Sequence, residues 1–206
     1  MAFTGWPAEA VEFFRGLAAD NSKKYWIANR RVFDESVHAP MAELLGELED
    51  EFGPGRIARP YRDVRFSKDK SVYKTAIYAT FEAGGYVRFS AEGLTAALGY
   101  YMMDPDQLDR YRRAVDDEAR GTALAGIVAR LKAAQIQVDG VQHLKSAPPG
   151  FPKDHPRLDL LRYKGLIAWR DWPVASWLTT TAAKARVVDF LHTAAPLQKW
   201  LVAEVE

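Results

Sequence analysis

Residues 59–74, R-P-Y-R-D-V-R-F-S-K-D-K-S-V-Y-K, hold six Lys or Arg and two Asp, a local charge of +4 in a chain whose net charge is +1. Guanidinium forks grip phosphate or carboxylate through paired N–H donors, and ammonium groups add point charge. Cations set this close repel one another unless internal carboxylates or a bound anion lie between them. If 61–67 is extended, Asp63 and Arg65 share a face, and Asp63 can orient the guanidinium. Arg62 then shares the inward face with Val64 and Phe66, where it needs an acceptor. The candidate ligand-binding residues here are Arg62, Arg65, Lys68, Lys70, Tyr73 and Lys74.

A second basic stretch covers 145–164, with five cations against two Asp. It contributes Lys145 to the candidate site. Its proline-rich loop suits a shaped wall. His155, between Asp154 and Pro156, is the one histidine placed for general acid or base chemistry, with Asp63 as the other candidate catalytic residue. A loop histidine bonded to backbone is the plainer alternative.

The rest of the sequence excludes more than it adds. The 206 residues contain no cysteine, which removes disulfides and thiolate chemistry, and the four histidines show no metal-ligand spacing. No metal and no cofactor is expected. Neither a P-loop nor a dinucleotide fingerprint is present, and no nucleophile elbow. The start, M-A-F-T-G-W-P, lacks the basic and apolar regions of a signal peptide, and no apolar run reaches membrane-spanning length. The expectation is a soluble, cytoplasmic protein without membrane contact.

Periodicity positions these residues within an α+β fold. Helices are expected over 7–52: Pro7 opens the first, Ser22 caps the second and Pro40 starts a third. Residues 60–103 read as four strands, 61–67, 73–82, 86–91 and 94–102, whose short connections imply an antiparallel meander. Asp104-Pro105 opens a helix to about 118, and another follows at 121–134. Asp139-Gly140 predicts a tight hairpin between 136–138 and 141–144. A late strand is expected over 165–172. Helices at 180–194 and 196–205, broken at Pro196, complete the expectation: one domain, 1–206, with a mainly antiparallel sheet packed against N- and C-terminal helices.

R-D-V-R-F-S-K-D-K at 62–70, continuing into Tyr73-Lys74-Thr75, resembles the hallmark block of a microbial domain-of-unknown-function family, number 2461. Leu144-Lys145, Pro149-Gly150-Phe151 and Asp154-His155-Pro156 resemble its second block. Asn21 with Trp26, and Gly99-Tyr100-Tyr101, resemble two others. Val72 departs from the proline usual in that family. The resemblance implies a single α+β, cytoplasmic domain and brings no reaction with it.

Function therefore rests on charge. The leading expectation is a basic cleft, where the two stretches meet, that takes a small phosphate- or carboxylate-bearing ligand. A phosphoester-directed enzyme is one version of it. The alternatives are a non-catalytic module for nucleic acid or a protein partner, and a purely structural ion-pair hub.

Overall fold

The computed structural model describes residues 2–63 and 69–206. Capping chemistry sets the helix boundaries. Pro7 precedes α1 (Ala8–Ala19), and the Ser22 hydroxyl accepts the Tyr25 N–H at 3.1 Å to open α2 (Lys23–Ala28). The chain continues through α3 (Arg30–Val32) and a π-helical turn, Phe33–His38, into α4 (Ala39–Phe52). Pro40 lies within the first turn of α4, where a missing N–H costs little. Asp104 and Gln107 form a reciprocal capping box at the start of α5 (Pro105–Asp116), and the Asp117 side chain caps α6 (Glu118–Ala133).

The strands are β1 (Gly55–Ile57), β2 (Ala76–Phe81), β3 (Gly85–Ser90), β4 (Gly93–Tyr100), β5 (Gln137–Asp139) and β6 (Leu166–Pro173). They form an antiparallel sheet in the order β1-β2-β3-β4-β6-β5. The expected α+β class is what is found, with the meander carried by β2, β3 and β4. Along β2 the side chains alternate: Ile77, Ala79 and Phe81 are buried, while Thr80 is exposed. Short helices α7 (Leu158–Leu161) and a 3-10 turn, Ser176–Thr179, precede the long α8 (Ala182–Val205).

Two compact units result. One comprises Met1–Ala96 with Asp171–Asp189, the other Ala97–Arg170 with Phe190–Glu206. In the first, α1 lies against β3 and α4 against β1 and β2. Trp6 stacks on Phe89 at 4.7 Å, with Phe14 on the same ring at 6.1 Å. In the second, α5 packs on α6 and α7, and buried Tyr111 donates to Leu160 O at 3.0 Å. Burial pushes the Tyr111 phenol far above its usual range, so it remains a neutral donor.

Three local expectations are corrected. Asp139-Gly140 does not fold 136–138 onto 141–144: β5 pairs with β6 through Val138↔Ala168, and His143 bridges Tyr163 instead. The Asp139 side chain accepts the Gly140 N–H at 2.7 Å, so a local side-chain bond replaces the hairpin turn. Pro196 does not end a helix; α8 continues through it. Leu197, Leu201 and Val205 carry the buried stripe onward, and their burial outweighs one missing hydrogen bond. Strand β1 falls in a segment that Gly53-Pro54-Gly55 marks only as a helix stop.

One polar side chain ties the first unit's helices to the basic stretch. Asn21 Oδ1 accepts the Tyr73 N–H at 2.9 Å, and its Nδ2 donates to Tyr73 O at 3.0 Å. Asn21→Ala leaves both backbone groups of a buried residue unpaired and should lower unfolding stability by about 2–3 kcal/mol. Urea denaturation measures it; a change of a few tenths would show that the clamp carries no weight.

Candidate functional site

The basic stretch doubles back on itself at Tyr61 and Tyr73, which form an antiparallel bridge. Arg62 N–H donates to Val72 O and Lys74 N–H to Pro60 O, both at 2.8 Å. Arg65 and Lys68, with the rest of 64–68, lie outside the described residues. Tyr73 is buried rather than lining a cavity: its ring stacks on Trp26 at 4.4 Å with planes 9° apart.

The remaining charges of this block separate into two groups. Arg62 is paired with Asp69. Asp69 Oδ1 also accepts the Ser71 hydroxyl at 2.6 Å and the Ser71 N–H at 2.9 Å. These Ser71 bonds first, and Arg62 after them, hold the Asp69 carboxyl down at about 2. Here the cation is answered by an internal carboxylate. Asp63 and Lys70 are exposed beside it.

The second group faces a groove of about 380 Å³ lined by Arg56, Ile57, Ala58, Arg59, Lys74 and Thr80. The β1–β2 register sets Arg56 opposite Thr80, so both project from the face opposite Ile57 and Ala79. Ala58 N–H donates to Tyr78 O at 2.8 Å, extending the pairing towards Arg59. Lys74 is half-buried over the Tyr78 ring, its nitrogen 5.7 Å from the centroid. Burial, and then the nearby Arg59 charge, lower the Lys74 pKa. Among the described lining residues there are three cations and no carboxylate.

Lys145 and His155 belong to the other unit. Lys145 is exposed. The His155 side chain is only 7% exposed: Nδ1 accepts the Arg157 N–H at 3.0 Å, and Nε2 lies 3.3 Å from Asp116 Oδ1. This bonding fixes the Nε2–H tautomer. Arg157, 9% exposed, donates Nε to Val115 O at 2.8 Å and a terminal nitrogen to Asp116 O at 3.0 Å. It thereby satisfies carbonyls at the end of α5, while its other terminal nitrogen meets Glu118 at 3.1 Å.

The model of the family "Conserved hypothetical protein (DUF2461)" matches residues 9–200. The chain belongs to DUF2461. No curated protein matches it significantly. Among solved structures it is similar to a conserved hypothetical protein from Pyrococcus furiosus, at 10% identity and a TM-score of 0.39, over 77% of this chain and 90% of that one.

The DUF2461 blocks acquire physical roles here. Asn21 and Trp26 fasten Tyr73 by hydrogen bonds and stacking. At Gly99, φ is +122° and a Cβ would lie 2.4 Å from Leu166 O, so only glycine fits. Asp154-His155-Pro156 places the imidazole beneath the end of α5. Arg56 lies before the hallmark block, and sequence reasoning missed it because a three-residue strand leaves no periodic signal. Arg59 is counted in the basic stretch, but nothing in the sequence distinguishes it from Arg62.

Two outcomes follow for these residues. Folding depresses the Asp69 pKa, so its carboxylate stabilises the fold above its unfolded value of about 3.9 and that stabilisation disappears as pH falls through the folded value. Asp69→Asn should therefore lose stability relative to wild type at neutral pH and converge with it as acid brings wild type to about pH 2. Denaturant midpoints across pH test this; a difference constant with pH would contradict it. Arg157→Lys keeps the charge but not the fork, and should cost about 2 kcal/mol in unfolding stability. A wild-type midpoint would show that the carbonyl contacts are dispensable.

Proposed function

We propose that this DUF2461 chain binds a small phosphate- or carboxylate-bearing ligand in the groove lined by Arg56, Arg59, Lys74 and Thr80. The observation that carries the proposal is the like-charge cluster: three cations share one groove whose described lining residues supply no carboxylate. An anion there relieves their repulsion, and the Thr80 hydroxyl adds a neutral donor. The half-buried Lys74, with its lowered pKa, gains most from a negative partner. Arg62 stays with Asp69. His155, engaged at both ring nitrogens, braces the other unit, so the proposal is one of binding and requires no proton transfer.

Nucleic acid is the second reading, favoured by the exposure of Arg56 on an edge strand and of Arg59 just after it. Three phosphate contacts to a duplex would give a log–log salt slope of about −3.

Titration with inorganic pyrophosphate and citrate, followed by calorimetry and thermal shift, tests the proposal. Binding should be measurable, and Lys74→Met should weaken it about tenfold, as expected when one charged hydrogen-bonding partner is removed. The variant should keep a wild-type melting temperature. Absence of binding, or affinity indifferent to Lys74→Met and Arg59→Ala together, would overturn the proposal. Tight oligonucleotide binding with the stated slope, and none of the small anions, would put the second reading in its place.

A further inference from the structure

A different cleft, of about 470 Å³, lies wholly within the unit formed by Ala97–Arg170 and Phe190–Glu206. Its wall on α6 is made by Ala125, Val128 and Ala129, and Leu160 of α7 faces it. Small side chains on that turn of α6 leave the space, and none offers a hydrogen bond. The polar groups stand around this apolar wall. Lys132, one turn after Val128, His143 and Arg162 supply donors. Arg162 is held in place because its Nε donates to Leu144 O at 2.7 Å.

Of the two acids of the cleft, Asp139 is already occupied and Asp159 is solvent-exposed. Asp139 accepts the Gly140 N–H at 2.7 Å and is bonded to the Tyr163 hydroxyl. Burial, and then Asp139, push the Tyr163 phenol up to about 12, so it remains neutral. The Asp159 side chain is 91% exposed and reaches Arg162 only at 3.8 Å. Arg157 also borders the cleft, but its guanidinium is engaged by the α5 carbonyls and Glu118. What remains is an apolar floor with Lys132 and the outer face of Arg162 at its edge, and His143 beside them.

From this arrangement we infer that the cleft is a second ligand site, for an amphiphilic monoanion whose apolar body lies on Ala125, Val128, Ala129 and Leu160 and whose carboxylate meets Lys132 and Arg162. Its volume falls within the range of small-molecule sites, roughly 300–1,000 Å³, and its combination of apolar wall and few placed donors is what such sites use. A purely polar anion such as phosphate finds no use for the floor, and a neutral apolar molecule leaves Lys132 unanswered.

The test compares 4-phenylbutyrate with 4-phenylbutanol, which share a body and differ in charge, on the full chain by calorimetry and amide chemical-shift mapping. The acid should bind about tenfold tighter than the alcohol, with shifts concentrated at 125–132 and 139–163. Lys132→Met should reduce acid affinity about fivefold and leave the alcohol unchanged. Ala129→Phe, at an exposed position of α6, should fill the floor and abolish binding of both. If that variant melts early, Ala125→Leu carries the same arm. Equal affinity for acid and alcohol, unchanged binding in the filled variant, shifts elsewhere in the chain, or no binding of either probe would each overturn the inference.

Discussion

The clamp between Asn21 and the backbone of Tyr73 is the constraint on which the basic stretch depends. A polypeptide does not bring Arg59 and Lys74 together on account of their charges, since these oppose the approach. The approach is imposed by contacts that carry no charge: the carboxamide on both backbone groups of Tyr73, the Trp26 ring on the Tyr73 ring, and the paired backbone of 60–62 with 72–74. These neutral contacts hold the cations at a separation that electrostatics alone would not select. Burial lowers the Lys74 pKa first, and the nearby Arg59 charge lowers it further.

The second basic stretch is organised by the opposite logic. There the two arginines donate to backbone acceptors within reach. Arg157 closes the end of α5, Arg162 fixes the Leu144 carbonyl, and His155 links the loop to Asp116. Local positive charge thus has two fates in one chain. Around 157–162 it satisfies backbone carbonyls, and around 56–74 part of it remains facing a groove.

Much of the architecture was legible because it is set by short-range chemistry. Pro7, Ser22 and Asp104-Pro105 announce helix starts, and the β2 alternation of Ile77, Ala79 and Phe81 announces a half-buried strand. The failures occurred where distant partners overrode local signals. Asp139-Gly140 carries strong turn chemistry, but β6 captured the strand before it. Pro196 has no amide N–H, yet buried leucines on either side hold the helix together. The candidate site was legible only as a count of charges. Sequence could not tell that Asp69 would engage Arg62 while Arg59 and Lys74 faced a groove with Arg56, because that sorting depends on register between strands whose pairing no local pattern encodes.

The brevity of β1 has a further consequence. It forms one border of the sheet with only three residues, begins immediately after Pro54, and places Arg56 at its centre. The opposite border, β5, is equally short. Unpaired backbone at the rim of a sheet invites a foreign strand, and length and flatness make the invitation stronger. A three-residue rim with a central guanidinium offers too little template for such an addition to propagate. The arginine that faces the groove is thereby also a guard against self-association of the protein into extended β-assemblies.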